Sequence, residues 1–281
     1  MDSPKRIVLR GRHGHRVLAS ADVPREWLQR LADDPEVILR ETGTVVVKEG
    51  DTTLVTRAIW PMADRSVSVA YKCNRRISWV KQLTQWLGVN RALRSYLAGE
   101  RLQDLGILTA RPLAVILPPV WQRGSDSWIA NEWIEEAEHV GAWVNRLGGR
   151  PEEAQLDDVA RQLGHTLGRM HQAGGSHRDL KPENILVRLA GSHQPGCVWL
   201  IDLDGLQFRR PTVRRGRRRR DLSRLAVGVE EAGGLRRSLY LRFLKGYLAG
   251  MGRARQDWKG EWHALSFETR RRAAARAARR K

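Results

Sequence analysis

Between residue 36 and about residue 131, apolar positions alternate with polar ones or come in short runs. That is the two-residue period of half-buried strands. Val37, Ile38 and Leu39, then Thr44 to Val47, read as two strands around a Glu41-Thr42-Gly43 turn. Residues 52–60, 67–71, 112–117 and 128–133 read as four more. One helix interrupts them over residues 90–105, with Leu93, Tyr96, Leu97 and Leu105 as its apolar face and Gly106 as its stop. From about Glu135 the period lengthens. Leu156, Val159, Leu163, Leu167 and Met170 follow at intervals of 3, 4, 4 and 3, a buried helical stripe along residues 155–172 that ends at Gly174-Gly175. The apolar runs 185–187 and 198–201 then predict a hairpin. Further helices start near Asp221 and cover about 236–248. A basic lead-in, residues 1–35, carries a short helix with Trp27, Leu28 and Leu31 on one face. Residues 270–281 are an Arg/Ala run that reads as a solvated or frayed basic helix. The pattern is α+β, with a β-rich first part and a helical second part.

Composition narrows the class. Of 281 residues, 41% are hydrophobic and 29% charged, which is a globular balance. Lys and Arg number 50 against 31 Asp and Glu, a net charge of +19, so the expected partner is polyanionic. No zinc-finger spacing, basic-region heptad or RNP-type aromatic motif accompanies the charge, which disfavours nucleic acid and favours an anionic membrane surface. Cys73 and Cys197 have neither metal-ligand nor disulfide-framework spacing. Residues 1–9 lack the apolar segment of a secretory signal. The longest apolar stretch, residues 112–121, is about half a membrane span and contains three prolines, so a membrane would be met from its surface. His13 and His15 read as loop histidines.

The segment His177-Arg178-Asp179-Leu180-Lys181-Pro182-Glu183-Asn184 matches the catalytic-loop signature of protein kinases, and this resemblance implies a phosphotransferase using ATP and Mg²⁺. In it, Asp179 is the carboxylate that receives the acceptor's hydroxyl proton, Lys181 reaches the transferring phosphate, and Asn184 is a neutral oxygen ligand to Mg²⁺. Asp202, after the second strand of the hairpin, is the other metal ligand; Mg²⁺ is satisfied by few protein oxygens plus phosphates and water. Lys72, ending the alternating segment 66–72, is the ATP-phosphate lysine, with Glu100 on the following helix as its partner and Lys48 as its competitor. Gly43 lies at an expected phosphate-covering turn, and no full G-x-G-x-x-G is present. Residues Glu132, Trp133 and Ile134 form the ATP-side hinge between the lobes.

The rest of the motif set departs from protein kinases. Asp202-Leu203-Asp204-Gly205 is a partial D-F-G, and no A-P-E follows. Val69-Ala70-Tyr71-Lys72, the stretch 91–113 with Leu105-Gly106-Ile107 and Pro112-Leu113, Arg220-Asp221-Leu222-Ser223-Arg224-Leu225 and Arg242-Phe243-Leu244-Lys245-Gly246-Tyr247 instead resemble the lipopolysaccharide kinase (Kdo/WaaP-type) family over roughly residues 40–250. That resemblance implies a bilobal protein-kinase-like fold: an extension at 1–35, an N-lobe at 36–131, a C-lobe at 132–265 and a basic tail at 266–281. It also implies ATP-dependent phosphorylation of a heptose or Kdo hydroxyl in the lipopolysaccharide inner core, by a peripheral protein at the cytoplasmic face of the inner membrane. Lys181-Pro182-Glu183-Asn184 fits a protein Ser/Thr kinase as well, and the charge fits a non-catalytic kinase-shaped module binding anionic lipid or nucleic acid. The arginines at 214–220 read either as recognition of a phosphorylated acceptor or as a solvated basic loop.

Overall fold

Alternation builds the strand that matters most to the site. Ser66–Asn74 forms β5. Val67, Val69, Tyr71 and Cys73 are buried in it, so Ser68, Ala70 and Lys72 take its other face. The computed structural model describes residues 6–75, 90–122, 125–147, 153–189, 196–209, 211–253 and 258–279. It divides into two units, Met1–Arg101 with Ala110–Ile134, and Leu102–Thr109 with Glu135–Lys281.

The first unit is a seven-stranded antiparallel sheet. Its strands are β1 (Arg6–Arg10), β2 (Arg16–Ser20), β3 (Val45–Gly50), β4 (Thr53–Pro61), β5, β6 (Pro112–Leu117) and β7 (Ser127–Glu132), in the order β1-β2-β6-β7-β5-β4-β3. The helix α1 (Arg25–Asp33) buries Trp27, Leu28, Leu31 and Ala32 on one sheet face. There Trp60 meets Trp27 edge-on, with ring centroids 6.0 Å apart. The helix α2 (Arg91–Asp104) contributes Ala92 and Tyr96 to a second cluster with Val115, Leu117 and Ile129. Strand β6 is buried throughout because Ala114 and Ile116 join the first cluster while Val115 and Leu117 join the second. This is why it reads as an unbroken apolar run.

Two expectations change here. The expected extension at 1–35 is part of the first unit where it is described: residues 6–33 supply β1, β2 and α1. The short strand Arg-Ile-Val-Leu-Arg looks like a charged lead-in because it is an edge strand, with Val8 exposed. Residues 37–39 are not a strand but part of a 3₁₀ turn, Val37–Arg40, that buries only Ile38. The expected hairpin around Gly43 therefore does not exist.

In the second unit, the helices α3 (Val140–Leu147), α4 (Glu153–Gln172), α5 (Arg215–Glu231), α6 (Arg237–Gly250) and α7 (Trp258–Ala278) surround short strands. These strands are β8 (Glu138–His139), β9 (Gly175–His177), β10 (Ile185–Arg188), β11 (Cys197–Leu200) and β12 (Leu206–Phe208). They pair antiparallel as β11-β10-β8 and β12-β9, so the hairpin expected from 185–187 and 198–201 is present.

Helices α4 and α6 meet at glycines. A side-chain carbon on Gly164 would lie 2.1 Å from the Phe243 carbonyl oxygen, and one on Gly168 2.3 Å from that of Tyr247. From the other side, Gly246 and Gly250 approach the carbonyls of Arg161 and His165 to 2.4 and 2.2 Å by the same measure. Only glycine permits this backbone approach. Nearby lies a cavity of about 630 Å³ whose lining includes Trp143, Leu163, Leu225, Phe243, Leu244 and Trp262.

The first of the two basic segments differs from expectation. The arginine run is helical from Arg215, because consecutive arginines are good helix formers. The end of α7 is helical and mostly exposed, as expected, and two contacts anchor it: Arg272 Nε donates to Ser223 Oγ (3.0 Å) and Arg276 pairs with Glu231 (3.2 Å).

Candidate active site

Helix α4 delivers the chain through Gly174, whose φ of +83° makes the turn that glycine favours, into β9. The loop from β9 to β10 carries Asp179. Three contacts fix that loop. The Arg178 amide donates to the Gly205 carbonyl (3.3 Å) and the Leu180 amide to the His177 carbonyl (3.2 Å). Pro182 packs against Gly228 of α5, where a side-chain carbon would come within 2.5 Å of its ring. The Asp179 carboxylate remains half exposed. Lys181 Nζ lies 3.3 Å from its Oδ2, and Arg224 of α5 lies 3.7 Å from its Oδ1.

Asn184 is buried and its Nδ2 donates to the Asp179 carbonyl (2.9 Å). With the nitrogen committed there, the amide oxygen is the atom left for other work. The Asn184 carbonyl accepts from the Ile201 amide (3.0 Å), which ties this residue to the neighbour of Asp202. Asp202 sits in the left-handed region (φ 55°, ψ 56°), a conformation that aspartate tolerates better than most residues. An amide oxygen and a carboxylate on two linked loops are a donor set suited to a hard oxygen-seeking cation, Mg²⁺ rather than a soft metal.

A buried polar network underlies the loop. Asp221 of α5 is 1% exposed and accepts from Ser176 Oγ (2.6 Å). His171 Nε2 and Arg220 approach its carboxylate at 3.6 and 3.4 Å. Burial alone would push the Asp221 pKa up, but the bonds from His171 and Ser176 and the nearby positive charges outweigh it and hold it below the usual carboxylate value. Burial lowers the pKa of both His171 and His177, against the pull of Asp221 on the first and of the Ile201 carbonyl on the second. His171 Nδ1 lies 2.9 Å from the Tyr247 hydroxyl, and His177 Nε2 lies 3.4 Å from the Ile201 carbonyl. The sequence reading named Asp221 only as part of a motif and missed Ser176 and His171. The available signal was a carboxylate in the middle of a buried helical stripe, with Leu222 and Leu225 beside it.

In the first unit, Lys72 pairs across strands with Ile129 and so shares the sheet face that α2 covers. Lys48, its competitor in the sequence, is exposed on the edge strand β3. The Glu100 carboxylate takes two bonds from Arg6, at 3.0 and 2.9 Å, a partner 94 positions away that the sequence reading did not foresee. Gly43 (φ +85°) is exposed between the 3₁₀ turn and β3, with nothing within 4 Å of where a side-chain carbon would sit; the hairpin loop beside the Lys72 region is instead that between β3 and β4, at Gly50–Thr53. Glu132 ends β7 facing Arg65 (3.6 Å) and Arg111 (3.9 Å). The Trp133 amide donates to the Ser68 carbonyl (2.8 Å), and Ile134 is the last residue of the unit.

Residues 46–247 match the model of the lipopolysaccharide kinase (Kdo/WaaP) family. The chain belongs to that family. A 3-deoxy-D-manno-octulosonic acid kinase of Actinobacillus succinogenes is 25% identical over 185 residues, which are 56% of this chain and 73% of that protein. One of Xylella fastidiosa (strain M12) is 31% identical over 140 residues, or 50% of this chain and 51% of that protein, so the match spans about half of the Xylella relative. The solved structure of WaaP in complex with acyl carrier protein superposes with a TM-score of 0.67 at 22% identity, over 92% of this chain and 98% of that one, and shares its fold. This Kdo/WaaP family chain is thus a phosphotransferase with a sugar-hydroxyl acceptor, and its protein-kinase-like fold stands as expected. Among the described residues, no helix is long and apolar enough to cross a membrane.

Proposed function

We propose that the chain transfers the γ-phosphoryl group of ATP to a hydroxyl of 3-deoxy-D-manno-octulosonic acid in the inner core of lipopolysaccharide. The observation that carries this reading is Asp179, a half-exposed carboxylate on a loop pinned by Asn184 and flanked by Lys181 and Arg224. In the proposed reaction Asp179 receives the acceptor's proton and Lys181 steadies the transferring phosphate. Asn184 and Asp202 would hold Mg²⁺, which supplies neutralisation of phosphate charge. Lys72 and residues Glu132, Trp133 and Ile134 are assigned to ATP, with Glu100 as a support of the Lys72 face. The names of the relatives favour the octulosonic acid over a heptose. A basic chain acting on a glycolipid would work at the inner face of the inner membrane.

The test gives the purified protein Mg²⁺–ATP with a Kdo-bearing lipid acceptor, with a heptose-bearing core and with a protein mixture, then locates the phosphate by mass spectrometry. Phosphate on the octulosonic acid is expected, and Asp179→Asn should lower that rate by about 10²–10⁴-fold. Phosphate found on serine or threonine and on no sugar would sink the reading in favour of a protein kinase.

A second partner reading rests on the apolar cavity. The fold is that of a WaaP solved with acyl carrier protein, and an apolar space of about 630 Å³ is large enough for an aliphatic chain. We infer that an acyl carrier protein can deliver one there.

A further inference from the structure

The arginine run divides by helical period. Arg215 and Arg219, one turn apart, both pair with Glu261 (3.1 and 3.5 Å), which also takes Arg253 (3.0 Å). Arg218 faces the Met251 sulfur (3.8 Å). These arginines hold the C-terminal helices together. Arg220 and Arg224 lie one turn apart on another face of α5, the face that carries Asp221 and reaches Asp179. Arg272, from α7, joins them through Ser223. Its Nε donates to Ser223 Oγ, and that hydroxyl donates to the Arg220 carbonyl (3.1 Å). One terminal nitrogen of the Arg272 guanidinium lies 3.9 Å from Glu268.

Positive charge exceeds negative charge at this face. Arg220, Arg224, Arg271 and Arg272 are met by three carboxylates, and each of the three is shared. Asp179 is shared with Lys181, Asp221 is used by Ser176 and His171, and Glu268 already takes Arg271 at 2.9 Å. Burial first, then the charges of Arg224, Arg220 and Arg271, lower the Arg272 pKa against the pull of Glu268. Like charges gathered beside a catalytic carboxylate are costly unless an anion joins them. Arginine forks match the geometry of planar carboxylates and of phosphates.

We propose that Arg220, Arg224 and Arg272 form an anion subsite beside Asp179 that takes the acceptor's own negatively charged group, the carboxylate in the case of an octulosonic acid. The inference rests on the sugar-kinase reading and adds to it the part of the acceptor that is gripped. Arg224 is a positioning residue: it touches Asp179 on one side and the acceptor anion on the other, so it sets which hydroxyl meets the catalytic carboxylate.

The experiment compares a Kdo-bearing lipid acceptor with the same acceptor after its carboxyl is converted to the methyl ester, using the full chain. The wild-type protein should prefer the acid in kcat/KM by about 10- to 100-fold, the range of a hydrogen-bonded charged pair. In Arg272→Gln that preference should collapse towards unity, and Arg272→Lys should restore part of it. A purely structural role for Arg272 would depress both acceptors alike and leave the ratio intact, which would overturn the proposal. A wild-type protein that uses acid and ester equally well overturns it too. A wild-type protein that phosphorylates neither acceptor refutes the octulosonic-acid reading on which the inference rests, a different result from either of those.

Discussion

Replacing Gly164 by alanine puts a methyl carbon 2.1 Å from the Phe243 carbonyl oxygen, about 1.3 Å short of the 3.4 Å at which ordinary contact begins. The obstacle is the backbone of α6, which has no rotamer to move out of the way. The helices must separate, and the fit at Gly168, Gly246 and Gly250 along the same seam loosens with them. Overpacking of this kind costs roughly 1–3 kcal/mol, at the upper end where backbone is struck. The better helix propensity of alanine returns at most about 1 kcal/mol. A net loss of about 2 kcal/mol lowers the melting temperature of a chain this size by roughly 4–8 °C. Differential scanning calorimetry of Gly164→Ala beside Gly216→Ala measures it. Gly216 also lies in a helix but has nothing within 4 Å of the added carbon, so its variant should melt at or above the wild type. If Gly164→Ala melts no lower than Gly216→Ala, the close seam between α4 and α6 is wrong.

Acid should weaken the fold from about pH 6.5 downward. His171 and His177 have folded pKa values depressed from 6.5 by burial, so below that value the unfolded chain binds protons that the folded chain refuses, and stability is complete only above it. Asp221, depressed from 3.8, adds stability that is present above that value and is lost as pH falls through its folded pKa. Urea midpoints should be flat above about pH 7 and fall below 6.5; a midpoint that rises on acidification to about pH 5 contradicts this. The wild type should co-purify with acyl carrier protein in native mass spectrometry, and filling the apolar cavity with Ala226→Trp, a residue of its lining, should abolish that. Retained carrier in that variant, or none in the wild type, removes the carrier reading.

What could be read from the sequence was local. The segment that resembles the kinase signature lies within eight consecutive residues, and β5 and the long helix α4 declare themselves by period alone. What escaped depends on partners far along the chain. The strand Arg6–Arg10 gains its identity by pairing with β2, and Glu100 finds Arg6 across 94 positions. No period in the sequence encodes either. Residues 37–39 mislead because three consecutive aliphatic residues favour a strand, whereas a single buried side chain, Ile38, is all that the turn there needs. The arginines at 214–220 read as either a solvated loop or an acceptor contact because charge conceals helix propensity, and only the fold shows Arg215 and Arg219 on Glu261 and Arg220 on Asp221.

The bonds that join the two functional loops carry a consequence for how such a protein can diversify. The Arg178 amide holds the Gly205 carbonyl, the Ile201 amide holds the Asn184 carbonyl, and His177 pairs with Leu206 across strands. With the roles proposed above, base and metal ligands would be inherited as one block, and an insertion inside either loop would put both out of register. The arginines that face Asp179 belong to helix surfaces outside that block. New acceptors can be tried there by single substitutions, a form of modularity in which the reaction is kept while its customer changes.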